Sequence, residues 1–389
     1  MTIRFLWVTD VPAPYRNHQF ERMAAIFPEH GIEMNVHFMA WTDPRRPWRF
    51  NADELHYPWT LHDNPLPALK RRGIHVNPGL FTALGCGSAD VVMIGGWASP
   101  SHVLAPFMTP RRVVKILGCE SHLQSVVRDD RLARMAKRQI VRRYDAFLVT
   151  GSRSRDLLCS LDPGAAHKPF VTLPNVIDAT LFRDQVASLR EHRPALRASL
   201  GVQDGRQLWF CPARLIPMKG LVEFVPLLER LEGVEMLIAG DGALRPELEA
   251  LIARGRLPVR LLGQQPESRM LELYAAADVF VLPSQADPSP LSAVEAAAAQ
   301  LPLLLSNRAG NCEDLVVDGT NGWVLDVDAG SRRLAVLERV ARTPRATLGD
   351  MGRRSGEIYQ QRFDSDTCVS RLAEFIVEMA RKSVSSRAG

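Results

Sequence analysis

Asp278-Val-Phe-Val-Leu-Pro283-Ser-Gln-Ala-Asp287-Pro-Ser-Pro-Leu291-Ser-Ala-Val-Glu295 passes from an apolar run into a proline-rich turn, then into an alanine-rich segment that stops at Pro302. The apolar run halted by Pro283 predicts a buried strand. Ser289 is the expected N-cap of the helix that follows. Pro290 suits its first turn, where a missing N–H costs nothing. The backbone N–H groups of Leu291, Ser292 and Ala293 then lack partners within the helix. A strand feeding a helix N-terminus makes a ready anion site, because free donors and the helix dipole point the same way. Glu295 shares a helix face with Leu291 and Ala298. A carboxylate among apolar neighbours needs partners, and sugar hydroxyls suit it. The alternative is an exposed glutamate on a helix flank.

The chain has 389 residues, a length that favours two domains, and its 46% hydrophobic content supports ordinary globular cores. It lacks a run of apolar residues long enough to span a bilayer. The opening Met1-Thr-Ile-Arg-Phe-Leu-Trp-Val-Thr turns polar too soon for a signal peptide and reads as a first strand. Six cysteines stand singly with no CxxC pair, which fits a reducing cytoplasm and disfavours a disulfide scaffold or a zinc site.

The net charge of +5 is uneven: residues 1–180 hold 22 Lys and Arg against 16 Asp and Glu. Its densest part, Arg128 to Arg143, has helical spacing, with Leu132, Met135, Ala136 and Ile140 on one side. Such a face is either simply solvated or meets an anionic membrane surface or a phosphorylated acceptor. No zinc-finger, RRM or helix-turn-helix signature accompanies it, so nucleic acid is not an expected partner.

Strand and helix signals alternate through both halves. Expected strands fall near 3–9, 32–38, 90–94, 112–117, 145–150 and 170–173, then near 207–212, 234–239, 259–262, 278–282, 302–305 and 323–326. Helices are expected between them, including 219–232, and the tail from 346 reads as helices broken near Phe363-Asp364. Alternation of this kind means parallel sheets covered by helices on both faces. Residues 41–67, rich in Trp, Pro, Arg and His, read as an irregular insertion, and 183–206 as a polar connection. The expected domains are 1–182 and 183–363, with the helix 364–389 packing back on the first. Ligands in such sheets bind outside the carboxyl ends of strands, and a cleft between the domains is the expected site.

Three turns of the second half carry chemistry. After the strand ending at Pro212 comes Ala213-Arg214-Leu-Ile-Pro-Met-Lys219-Gly220. Arg214 and Lys219 at a strand exit are best understood with an anion between them, and a diphosphate fits, since Arg clamps oxygens in pairs and Lys supplies a compact charge. A solvated pair is the alternative. Gly240-Asp241-Gly242 and Gly263 close two further strands, where glycines permit close backbone approach to a ligand.

Together these residues resemble the GT-B glycosyltransferases, specifically family 4. The resemblance rests on Arg214-Leu…Lys219-Gly220, Ala239-Gly-Asp-Gly242, Leu273-Tyr…Ala277-Asp-Val-Phe-Val-Leu-Pro-Ser284, Asp287 through Glu295, and Asn311-Cys-Glu313. Tyr144-Asp145 and Leu173-Pro-Asn175 carry it into the first half. It implies two Rossmann-like domains facing across a cleft, and sugar transfer from a nucleotide donor with retention of configuration and no bound metal or other cofactor. Arg214 and Lys219 are then the diphosphate cations. The family's paired acids fall on Asp287, toward the transferred sugar, and Glu295, on the ribose, with Ser289, Pro290, Leu291 and Ser292 beside the donor. Here Asp287 replaces the family's usual Glu, and Pro288-Ser-Pro290 replaces Gly-Phe-Gly, removing two backbone donors. In place of a glycine-rich loop after the first strand stands Thr9-Asp10-Val-Pro-Ala-Pro-Tyr-Arg16. Arg16 is a candidate for phosphate or acceptor, His122 for the transferred sugar and Glu120 for the acceptor.

The resemblance also implies a glycan or lipid-linked acceptor, a place in cell-surface polysaccharide or glycolipid assembly, and a cytoplasmic or peripheral membrane location. The donor base stays open among UDP, GDP, ADP and dTDP, with UDP the default. A nucleotide-sugar 2-epimerase and a non-catalytic nucleotide-sugar-binding or membrane-associated protein are the competing readings. Asp326-Val-Asp328 looks like the metal motif of another fold but is expected to be structural.

Overall fold

The computed structural model describes residues 2–44, 51–121, 131–176 and 179–388. The chain divides into two compact units. The first comprises Met1–Asn175 and Ser365–Gly389, the second Val176–Asp364.

The first unit holds seven strands: β1 (Ile3–Thr9), β2 (Ile32–Phe38), β3 (Trp59–Leu61), β4 (Val91–Gly95), β5 (Val114–Cys119), β6 (Ala146–Val149) and β7 (Phe170–Thr172). They form one parallel sheet in the order β3-β2-β1-β4-β5-β6-β7. Its helices are α1 (Pro14–Ile26), α2 (Pro67–Lys70), α3 (Pro78–Gly85), α4 (Pro100–Met108), α5 (Arg131–Arg142) and α6 (Ser152–Leu161). The second unit adds α7 (Ala179–Arg190), α8 (Arg193–Ser199), β8 (Gln207–Pro212), α9 (Leu221–Phe224), β9 (Val234–Ala239), α10 (Arg245–Gly255), β10 (Val259–Gly263), α11 (Glu267–Ala276), β11 (Val279–Leu282), α12 (Leu291–Ala298), β12 (Leu303–Ser306), α13 (Cys312–Leu315), β13 (Gly322–Leu325), α14 (Arg332–Ala341) and α15 (Arg345–Arg362). Its parallel sheet runs β10-β9-β8-β11-β12-β13. The last helix, α16 (Ser365–Ala388), returns to the first unit.

Both sheets are covered on both faces, so their strands are apolar almost without interruption. Every residue of β9 and of β11 is buried. In the first unit, helix α16 adds Cys368, Val369, Leu372, Ala373 and Ile376 to the core cluster that holds Phe20, Phe27 and Val36. That spacing is one helical stripe. Arg22 adds a two-bonded contact to Asp366, at 2.6 and 2.7 Å.

Four expectations need correction. The polar connection 183–206 is largely helical: α7 buries Val186 and sets Phe182 edge-on to Tyr274, with ring centroids 5.3 Å apart. Arg193 and Arg197 of α8 hold the buried Asp278 at 2.6 and 2.9 Å. The segment 219–232 is not one helix but α9 between two 3-10 turns, Pro217–Lys219 and Val225–Arg230. Gly220, at φ 65°, and Pro226, which has no N–H, explain the breaks. The irregular insertion contains β3, paired in parallel with β2. Helix α5 also differs from its pattern: Ile140 and Val141 are buried, while Leu132 and Met135 are 78% and 57% exposed.

Candidate active site

In the second sheet the strand order reverses at β8, whose neighbours are β9 and β11. Ligands of open α/β sheets settle at the carboxyl ends beside such a reversal. Arg214 and Lys219 leave β8 there, and Asp287 and α12 follow β11.

The exits of β8 and β9 run side by side. Leu215 N–H donates to Asp241 O at 3.0 Å, and Leu244 N–H to Leu215 O at 3.0 Å. A Cβ on Gly240, which sits at φ 146°, would lie 2.1 Å from Ala213 O. One on Gly242 would lie 2.4 Å from Leu215 O. Both glycines therefore serve the close packing of the two strand exits, a role the sequence did not show. Gly263 belongs to the same junction, its carbonyl accepting from Gly240 N–H at 2.8 Å. The loop that carries Arg214 is thereby held in one position. The Arg214 side chain is exposed and has no hydrogen bond or ion pair among the described residues.

Lys219 ends a 3-10 turn and is bound to Asp287, Nζ to Oδ2; their side chains are only 15% and 11% exposed. The exits of β8 and β11 are zipped by Gln285 N–H donating to Met218 O at 2.8 Å. The backbone of Asp287 is fixed in turn by Gly310 N–H, at 2.7 Å. Asp287, expected to face a sugar, is thus the counter-ion of Lys219.

Helix α12 begins differently from the expectation. Pro290 is itself the N-cap (φ −66°, ψ 114°), and no side chain caps the helix, so Ser289 does not serve. Leu291 and Ser292 open the helix with backbone N–H groups that precede any helical acceptor. Asn311 Nδ2 donates to Pro290 O at 3.0 Å and steadies the turn.

Glu295 lies one turn further on, where its Oε2 accepts a hydrogen bond of 2.6 Å from Tyr274. Burial pushes the Glu295 carboxyl up from its ordinary value; the Tyr274 bond acts against this, and Glu267 adds to it. Burial and then Glu295 push the Tyr274 hydroxyl well above its usual range. The sequence reading used Tyr274 only as part of a motif. A lone hydroxyl in the apolar run Leu273-Tyr-Ala-Ala-Ala277 was the available signal.

The first unit brings Arg16 and Glu120 together as an ion pair, Nη2 to Oε1. Arg16 also donates to Gln19 Oε1 at 2.7 Å and lies 5.6 Å from the centre of the Trp7 ring. The two residues expected to meet a phosphate or the acceptor are thus each other's counter-ion within this unit. His122 lies outside the described residues, as do Arg45–Phe50. The sequence reading missed two buried histidines beside a half-buried aspartate at the reversal between β1 and β4. His75 Nε2 and His102 Nε2 each stand 3.6 Å from Asp10 Oδ1, and none of the three atoms has a hydrogen-bond partner among the described residues.

Asp326 and Asp328 serve structure. Arg308 Nη2 binds both oxygens of Asp328 at 2.6 and 2.7 Å, and Asp326 accepts from Asn307 at 2.9 Å.

Residues 192–338, which contain every second-unit candidate, match the family model described as Glycosyl transferases group 1. A D-inositol 3-phosphate glycosyltransferase of Xylanimonas cellulosilytica is 30% identical over 228 residues, covering 57% of this chain and 52% of that protein. A GDP-mannose-dependent monoacylated alpha-(1-6)-phosphatidylinositol monomannoside mannosyltransferase of Corynebacterium glutamicum is 29% identical over 206 residues, 48% and 51% of the two chains. The chain thus spans about half the length of these curated relatives. Anabaena HepE, solved in complex with UDP, aligns at a TM-score of 0.70 and 20% identity, covering 97% of this chain and all of that one. With two Rossmann-like parallel-sheet units of seven and six strands and these structural neighbours, the fold is that of the GT-B glycosyltransferases.

Proposed function

We propose that this chain is a glycosyltransferase that moves a sugar from a nucleoside-diphosphate donor to a glycan or lipid-linked acceptor. The observation that carries the reading is the make-up of the β8/β11 reversal. An exposed Arg214 with no side-chain partner among the described residues, the Lys219–Asp287 pair and the uncapped start of α12 share the carboxyl end of one sheet. The match of residues 192–338 to group 1 glycosyltransferases supports it.

The chemistry follows from charge. Departure of a nucleoside diphosphate builds negative charge on the β-phosphate. Arg214 supplies parallel N–H donors to it, and Lys219 a compact charge. Pre-placed donors of this kind lower the barrier because they need not reorganise as the bond breaks. Asp287 keeps Lys219 oriented and lowers the cost of holding a partly buried ammonium before the donor arrives. The departing phosphate is the base that takes the acceptor proton on the donor's own face, so the anomeric configuration is retained. Cations in this position do the work a divalent metal does elsewhere, so the transfer runs without one.

UDP is the first donor base to try, since HepE was solved with UDP, and GDP the second, because the Corynebacterium relative is GDP-mannose-dependent. The first unit takes the acceptor. The basic face of α5, with Leu132 and Met135 exposed beside it, rests on an anionic membrane surface. Cell-surface polysaccharide or glycolipid assembly is the process this arrangement serves.

A panel of UDP- and GDP-sugars, followed for release of the nucleotide with and without EDTA, tests the reading. The expected result is turnover of one donor, unchanged by EDTA, with the product in the donor's anomeric configuration by proton NMR. Isomerisation of a donor without acceptor, or binding of donors without turnover, contradicts it.

A further inference from the structure

The geometry points to Tyr274 as a positioning residue that sets the Glu295 carboxylate for the ribose hydroxyls of the donor. The inference rests on the proposed donor site and assigns a role to a side chain outside the charged cluster.

Tyr274 is fully buried in α11. Two rings hold it edge-on: Phe182 of α7 at 5.3 Å and 75°, and Phe210 of β8 at 5.1 Å and 89°. Its ring therefore has one orientation. A phenol has one proton to give. Two acceptors lie within reach, Glu295 Oε2 at 2.6 Å and Ser292 O at 3.3 Å. The shorter, charge-assisted bond takes it. Burial and the neighbouring carboxylate keep the phenol protonated, so it acts only as a donor here. With Oε2 tied, Oε1 is left with no hydrogen-bond partner among the described residues, on a residue that keeps some exposure. A carboxylate with one oxygen anchored and one open receives a hydroxyl in a fixed direction, whereas an untethered glutamate must first be ordered.

The bond also bears on charge. Burial raises the Glu295 carboxyl, and Glu267 on α11 adds to this; the Tyr274 bond is the contact that lowers it. Cys211 on β8 also faces Tyr274. Without the phenol oxygen, Glu295 takes up its proton at a higher pH and loses an acceptor site.

The test compares binding of UDP and 2′,3′-dideoxy-UDP by calorimetry to the wild type, Tyr274→Phe, Glu295→Gln and the double variant, from pH 5.5 to 8; if UDP fails to bind the wild type, GDP and its dideoxy analogue are used. Thermal melts first confirm that each variant folds. The wild type is expected to favour the ribose form, and Tyr274→Phe to lose about tenfold of that preference, the worth of one charge-assisted bond. Its remaining preference should fall away at a higher pH than in the wild type, and the double variant should lose no more than Glu295→Gln alone. A merely structural tyrosine lowers the melting temperature without moving preference or pH profile. If Tyr274→Phe keeps the full preference while Glu295→Gln loses it, the role of Tyr274 is overturned and the donor site stands. If Glu295→Gln changes nothing, the ribose assignment falls and Tyr274 with it. If the wild type binds neither nucleotide, the donor site itself falls.

Discussion

Glu295 is a mostly buried carboxylate in an otherwise uncharged helix. Its type and its place in an apolar helix flagged it in the sequence, but its partner did not show, because Tyr274 lies on another helix and 21 positions away. The folded environment raises its carboxyl, so the ionised form is disfavoured in the fold relative to the unfolded chain. The stability carried by its uncharged form is present below the unfolded value and lost as pH rises through the folded one. Glu295→Gln keeps an acceptor for Tyr274 and removes the charge. It should therefore melt higher than the wild type at pH 8, with the gap closing as pH falls toward 4. Calorimetric melting across that range checks the sign; a variant that melts lower at pH 8 means the carboxylate is better solvated than its position implies. Arg214 and Lys219 stood out in the sequence as two cations at one strand exit, and the structure separates their states: Lys219 is paired with Asp287, and Arg214 has no side-chain partner among the described residues.

Among elements, the strands were the most legible, since those buried on both faces are marked by their own apolar runs. What stayed hidden were features decided by contacts distant in sequence. The connection 183–206 looked polar because α8 spends Arg193 and Arg197 on the buried Asp278. The packing role of the two glycines after β9 stayed hidden because their neighbour, the exit of β8, lies 27 positions earlier (Ala213 against Gly240) and is invisible to local reading. Gly240→Ala tests their assigned role. A methyl 2.1 Å from Ala213 O, at a φ that L residues rarely adopt, should cost more than about 2 kcal/mol and displace the Arg214 loop. Denaturant unfolding reads the stability and nucleotide titration reads the loop. Wild-type values in both would mean the β8 and β9 exits are not packed as described.

Over the whole molecule, two units with separate cores follow from the repeated strand–helix alternation, and the return of α16 to the first unit follows from the break near Phe363. No described helix is long and apolar enough to cross a membrane. Charge is the other molecular property with a measurable consequence. Arg138 and Arg142 of α5 both reach Asp162, at 3.2 and 3.3 Å, so part of that basic face is already neutralised. Attraction to an anionic surface should therefore be modest and screened by salt. Co-sedimentation with vesicles containing phosphatidylserine should fall several-fold between 50 and 300 mM salt, and Leu132→Ser with Met135→Ser should weaken it further. Binding indifferent to both changes would remove the membrane-facing role of α5.

Arg214 and Lys219 acting as one clamp on a donor's diphosphate is the claim beneath the rest. Titration of UDP and GDP into the wild type, Arg214→Ala and Lys219→Ala measures it. One nucleotide should bind the wild type, each substitution should weaken that binding at least tenfold while the melting profile persists, and turnover should drop by about a hundredfold or more. Equal affinity in all three proteins would show that the phosphates are held elsewhere.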